Sequence, residues 1–273
     1  MSQNKKGIII DITDIISPWA RIGLSPWPVF VSFAFGGIFF NASLWFWGGE
    51  FIDVSIILAY ALFAMYCWGI RLMREGIIKG YYTSRVGNGL KWSIYLFILS
   101  EAMFFFSFFW TFGHRSLVPR INFGSVWPPY GIRPIHPAAL PLFNMGVLVW
   151  SSCTLNLSTG LMRLIKFKRA IIWAVFRFFL GGLFLLAQWS EYRGAGFTIC
   201  DRVYGRIFFL LTGFHGFHVI LGLSWILLNI YRLFNEHYHT GFNLCWMAGL
   251  WYWHFVDLIW IVIWRWIYCW GYL

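Results

Sequence analysis

The chain has 273 residues, 60% of them hydrophobic, 23% aromatic and only 11% charged, against roughly 25% charged in an ordinary soluble domain. A mean hydropathy of +0.67 excludes water as its main solvent, and its 19 Trp and 13 Tyr suit a membrane interface, where an amphipathic ring reaches both phases. The formal charge of +11 falls mainly in short gaps between apolar runs, a pattern that reports membrane topology rather than a nucleic-acid partner.

Residues 1–24 form an N-terminal extension. Ile8, Ile12, Ile15, Ile16 and Trp19 recur there at helical spacing while Asp11, Thr13 and Asp14 take another face, so residues 7–17 are expected to form a short interfacial helix. The two aspartates and the lack of a small-x-small cleavage site argue against a removed signal peptide. Seven segments of at least the roughly 20 residues that cross about 30 Å of hydrocarbon follow. They are predicted near 27–48, 52–73, 89–114, 139–162, 170–190, 203–234 and 242–270. The third, sixth and seventh exceed a minimal span, which implies tilt or extension beyond the bilayer. The long connection from His114 to Pro137 carries Trp127-Pro128-Pro129-Tyr130-Gly131 and Pro134, residues that fix φ and reject a helix. It reads as an ordered extramembrane loop.

Alternate gaps are unequally basic. One side collects Lys5, Lys6, Arg21, Arg71, Arg74, Lys79, Arg85, Lys91, Arg163, Lys166, Lys168, Arg169 and Arg232; the other has Arg115, Arg120, Arg133, Arg193, Arg202 and Arg206, with Glu50, Asp53, Glu191 and Asp201. The positive-inside rule then puts the N-terminus in a mitochondrial matrix or bacterial cytoplasm, and the C-terminus opposite. Cys67, Cys153, Cys200, Cys245 and Cys269 are widely spaced without a CxxC pair, so they read as packing residues. No repeat of 20–50 residues and no soluble domain is visible.

Few residues could carry chemistry. Glu101 lies mid-span in Ser100-Glu101-Ala102-Met103-Phe104-Phe105-Phe106, where an ionisable group costs several kcal/mol and is either functional or a hydrogen-bonded structural carboxyl. Burial would favour its neutral form. His215 and His218 are three residues apart and share one helical face, and His254 lies in Trp251-Tyr252-Trp253-His254-Phe255-Val256-Asp257. Three imidazoles suffice for copper or haem if they converge, but spacing alone does not bring them together, and hydrogen bonding within and between helices is the plainer reading. The cluster Arg71, Arg74, Glu75 and Lys79 after the second span, with Trp68 beside it, sets topology and is also placed to hold anionic headgroups. A glycine-rich phosphate loop, a Ser-His-Asp set and an HExxH pair are all absent from the sequence.

Seven separated pieces, in order, resemble subunit III of the haem-copper cytochrome c oxidases. They are Ser25-Pro26-Trp27-Pro28, Arg74-Glu75-Gly76, Ser100-Glu101 with Met103 to Trp110, Trp127-Pro128-Pro129, Ser190-Glu191-Tyr192, Gly213 to His218, and Trp251 to Asp257. The resemblance implies an all-α integral membrane protein of seven transmembrane helices, in which a pair (residues 25–80) splays from a five-helix bundle (residues 81–273) around a lipid-filled V-shaped cleft. It implies a non-catalytic subunit of a proton-pumping enzyme of the respiratory chain, in the mitochondrial inner membrane rather than a bacterial plasma membrane. Subunit I would be the main contact and subunit II a second; haem a and copper would belong to those partners, and this chain would hold no metal.

By the same resemblance, Trp68, Arg74, Glu75 and Arg232 would bind phospholipids, cardiolipin among them, Glu101 would be a membrane-buried carboxyl, and His215, His218 and His254 would be structural. A respiratory supercomplex is a further implied partner. The chain departs from the animal form at Tyr81-Tyr82 and Thr159-Gly160, where that form has His-His pairs, and its loop between Arg232 and Gly241 is shorter. Two other readings stand beside this one: a transporter or channel with Glu101 in an ion path, and a haem-bearing subunit using the three histidines. Inverted repeats with matching broken spans, which would favour transport, are absent from the sequence.

Overall fold

The computed structural model describes residues 24–48, 51–78, 84–119, 125–238 and 243–272. The interfacial helix expected over residues 7–17 and the Tyr81-Tyr82 pair lie outside the described residues. Among the described residues there are seven helices long and apolar enough to cross a membrane, and no strand. They are α1 (Trp27–Phe46), α2 (Phe51–Met73), α3 (Ser84–Leu117), α4 (Leu140–Arg163), α5 (Phe167–Gly194), α6 (Arg202–Phe234) and α7 (Leu244–Ile263). Wider π-helical turns extend α2 over Arg74–Ile78 and α7 over Trp264–Trp270. The predicted count of spans matches. The ends shift: α3 begins at Ser84 rather than near 89, and α5 runs to Gly194 rather than 190.

The chain divides into two compact units, Met1–Leu90 and Lys91–Leu273. In the first, α1 and α2 pack through small side chains, with Ala34, Ala61 and Ala64 buried and Gly37 facing Ile57. Close backbone approach of this kind holds helices together where lipid removes any hydrophobic drive to associate. Arg71 ties this unit's ends, its guanidinium donating to the Leu24 carbonyl at 2.7 Å and to Glu75 at 3.0 Å.

In the second unit α4 and α5 form a helical hairpin closed by the short turn through Ile165, and the Ser158 hydroxyl donates across it to the Ala170 carbonyl at 2.8 Å. Neighbouring contacts run from α5 to α6, α6 to α7 and α4 to α7. The most buried span is α7, at 61% of its apolar window against 11% for α1, so the core is built around it. Trp253 is its keystone. The indole is fully buried, donates to Ser151 of α4 at 2.8 Å, and lies against Gly181 of α5 and Gly222 of α6. A Cβ at Gly222 would stand 2.8 Å from that ring, so glycine is what lets a tryptophan occupy the helix interface. The α3 helix joins this core through aromatic side chains, with Phe105 against Phe255 and Phe109 against Trp266. In the proline-rich segment before α4, Trp127 is set between Phe112 and Tyr204 and the Pro137 carbonyl accepts from Trp264.

Candidate functional site

Glu101 stands midway along α3, and its Oε2 lies 3.0 Å from Nε2 of His218 on α6. The opposite ring nitrogen, Nδ1, lies 2.8 Å from the Phe214 carbonyl. A carbonyl can only accept, so Nδ1 carries a hydrogen and donates. The short contact between Nε2 and Oε2 then holds a single proton: the pair is a carboxylic acid with a neutral imidazole, or a carboxylate with an imidazolium. Either way it has no net charge, which removes most of the expense of placing ionisable groups in hydrocarbon. Aromatic rings flank the imidazole. Phe105 meets the imidazole edge-on at 5.1 Å, Tyr252 of α7 lies nearly parallel to it at 6.3 Å, and the Tyr252 hydroxyl donates to the His218 carbonyl.

The histidines do not converge. His215 is fully buried, and its Nε2 donates to the Val256 carbonyl of α7 at 3.1 Å, so it faces α7 while His218, on the same side of α6, faces α3. The His254 ring approaches α4 instead, with Nδ1 3.2 Å from the Ser152 hydroxyl and Nε2 3.4 Å from the Asn156 amide oxygen. Among the described residues no three His, Cys, Asp or Glu side chains group as metal ligands would.

Two buried polar centres escaped the sequence reading. Arg177 of α5 is buried, its guanidinium 4.4 Å above the Trp253 ring and within electrostatic reach of Asp257, which accepts from Ser152. Glu191, counted above with the loop acids, is instead buried, and accepts from Tyr268 at 2.5 Å. The available signals were a lone arginine between Phe176 and Phe178 and the aspartate that ends Trp251 to Asp257. For Glu191 the signal was its place in Ser190-Glu191-Tyr192, one of the pieces that carry the resemblance.

The expected lipid-binding residues lie on both units. On the first, Trp68 is half-buried, Arg74 is exposed, and Glu75 is buried and engaged by Arg71. On the second, Arg232 is half-buried with its guanidinium 4.6 Å over the Tyr238 ring. Tyr238 donates to Asn229, and burial pushes its phenol well above the ordinary value. Thr159 accepts from Trp246 at 2.9 Å and donates to the Leu155 carbonyl, which ties α4 to α7.

Comparison with known proteins agrees along the whole fold. Residues 17–272 match the family model for cytochrome c oxidase subunit III. Proteins named cytochrome c oxidase subunit 3 from Heterololigo bleekeri and Prototheca wickerhamii are each 38% identical, over 94% and 93% of this chain and 99% and 98% of those proteins. The one from Allomyces macrogynus is 37% identical over 94% of both chains. A seven-span fold with this end-to-end likeness is that of a multi-pass membrane protein and a subunit of an oxidase complex, and the chain belongs to the cytochrome c oxidase subunit III family.

Proposed function

We propose that the chain is the non-redox third subunit of a proton-pumping oxidase in the mitochondrial inner membrane, with its N-terminus in the matrix. It steadies the catalytic subunits and supports sustained proton uptake and oxygen reduction. The observation that carries this reading is the commitment of the imidazoles to helix-packing bonds, above all the hydrogen bond between Glu101 and His218. A histidine that spends one nitrogen on its own helix and the other on a neighbour's carboxyl is a fastener, not a ligand. Subunits I and II, with subunit I the larger contact, would hold haem a and copper. Trp68, Arg74, Glu75 and Arg232 would keep phospholipid headgroups, including cardiolipin, by charge-assisted hydrogen bonds in the cleft that the family implies. Docking into a respiratory supercomplex fits the same role.

The test is purification from native membranes through a tag on this chain, followed by mass spectrometry and an optical spectrum. Haem-copper subunits and phospholipid should co-purify, and the chain stripped of them should show no Soret band. A stoichiometric haem on the stripped chain would overturn the reading.

A further inference from the structure

Asn156 and His254 turn a hydrogen-bonding surface outward well inside two spans. Asn156 is exposed on α4, seven residues before Arg163 at the helix end, or about 10 Å along the axis. His254 of α7 lies beside it with 39% of its side chain exposed. Neither side chain is long enough to reach the headgroups from that depth, and acyl chains offer no hydrogen bonds.

What this surface lacks is a donor. The Ser152 hydroxyl gives its only hydrogen to Asp257. Towards Nδ1 of His254, 3.2 Å away, the Ser152 oxygen therefore accepts, and Nδ1 carries the ring hydrogen. Arg177 and Asp257 already balance each other's charge; a further charge on the imidazole would stand uncompensated within the spans, so the ring is neutral. Its Nε2 is then a bare acceptor, and it faces a second acceptor, the Asn156 amide oxygen, at 3.4 Å. Turning the amide over satisfies Nε2 through the amide N–H but leaves the oxygen as an outward acceptor. In either arrangement at least one acceptor has no hydrogen, and among the described residues no other side chain supplies one.

The helix around Asn156 is also shaped for close approach. Gly146, Cys153 and Gly160 recur at intervals of seven along α4, and all three are exposed. A Cβ added at either glycine would meet nothing within 4 Å among the described residues beyond the helix's own backbone, so these glycines make room for no neighbour within this chain. Small residues at seven-residue spacing on one face, with a polar side chain among them, are what one membrane helix presents to another in a left-handed pair.

We propose that this face of α4, with His254 at its edge, seats a transmembrane helix of a neighbouring oxidase subunit, and that this helix carries a hydrogen-bond donor at the depth of Asn156. A Ser or Thr hydroxyl, an Asn or Gln amide, or a Tyr or Trp ring meets that requirement, and a lipid tail does not. The inference rests on the subunit role proposed above and adds to it the face and the chemistry of the contact.

The experiment uses the intact complex from cells supplied with photo-leucine, whose diazirine becomes a carbene on illumination. Leu157 is next to Asn156 and 51% exposed. Peptides spanning 149–160 should be found joined to a helix of another subunit, within about one turn of a donor side chain. A lipid-soluble carbene probe should leave residues 146–160 unlabelled in the complex and label them in the chain released from it. Asn156→Leu should raise the fraction released at a fixed detergent concentration about threefold, the average weight of a hydrogen bond between membrane helices. Should that variant fail to assemble, the crosslink and the labelling pattern of the parent complex decide the matter. Crosslinks from Leu157 to lipid alone, a crosslinked helix with no donor in that turn, or equal labelling of 146–160 in complex and released chain would overturn the proposal and leave the subunit role standing. If instead the chain purified without haem-copper subunits, the subunit role would fall, and a Leu157 crosslink to a second copy of this chain would overturn the occupant named here.

Discussion

Replacing Glu101 by alanine should remove one hydrogen bond and leave an imidazole nitrogen facing hydrocarbon. The His218 side chain is 8% exposed and that of Glu101 26%, with 3.0 Å between them. A buried acceptor or donor left unmatched costs about 1–3 kcal/mol, whereas hydrogen bonds between membrane helices average only about 0.6 kcal/mol in double-mutant cycles, with a maximum near 1.7. Two features pull the value to the middle: the imidazole keeps its bond to Phe214, and the carboxyl is partly open. The coupling between Glu101→Ala and His218→Phe should therefore be about 1 kcal/mol, near fivefold in an equilibrium constant. It can be read from a cycle of parent, two single and one double variant, by detergent-titrated release of the chain from the complex. Glu101→Gln can still donate to Nε2, and should cost less than the alanine and leave electron transfer largely intact. A hydrophobic carbodiimide should label Glu101 in the parent, react faster in His218→Phe where the carboxyl is released, and leave Glu101→Gln unlabelled. Strictly additive single effects would show that the bond carries no energy. Near-total loss of oxygen reduction in a fully assembled Glu101→Gln complex would place Glu101 in the obligatory chemistry and refute the supporting role.

Neutralising both Arg74 and Arg232 should lower the phospholipid retained by the purified complex and loosen the subunit, and unchanged lipid content by native mass spectrometry would count against those headgroup positions. Gly222→Leu forces carbon into the fully buried Trp253 ring, so it should destabilise by about 1–3 kcal/mol or more, visible as a lower dissociation temperature; an unshifted midpoint would mean the helices separate freely there. Asp257→Asn removes the acid within electrostatic reach of the buried Arg177, and assembly yield should fall, with partial rescue in the Asp257→Asn, Arg177→Met double variant; equal yields across the set would show that the two do not interact. Thr159→Ala breaks the bond from Trp246 and should cost about 1 kcal/mol, measured by the same release assay.

The spans were legible because hydrocarbon thickness sets a minimum run of apolar residues, and that run survives in the sequence whatever the helices pack against. Helix ends were less so. Ser84 to Gly89 is polar and glycine-bearing, yet it continues α3, since a helix protruding from the bilayer satisfies its own backbone. Polarity marked Glu101, His215, His218 and His254, but their partners on other helices are 41 to 117 residues away in sequence. Spacing of three along α6 places two imidazoles on one side without revealing that one turns to α7 and the other to α3. Arg177, Asp257 and Glu191 show the same limit from the opposite direction. A charge in or beside an apolar run reads alike whether it lies in a gap between spans or meets a tryptophan face or a tyrosine hydroxyl.

The shared proton has an electrical consequence. Oxidase membranes work under voltage, and an ordinary fixed charge near mid-bilayer feels about half of the field's work, roughly 1 kcal/mol at 100 mV. In the Glu101–His218 pair only the proton can move, over less than the 3.0 Å separating its two heavy atoms, a tenth or less of the roughly 30 Å hydrocarbon depth. The field can bias its position by no more than about 0.2 kcal/mol at 100 mV, below thermal energy. A clasp of this design grips α3 and α6 with nearly the same strength whether the membrane is energised or discharged.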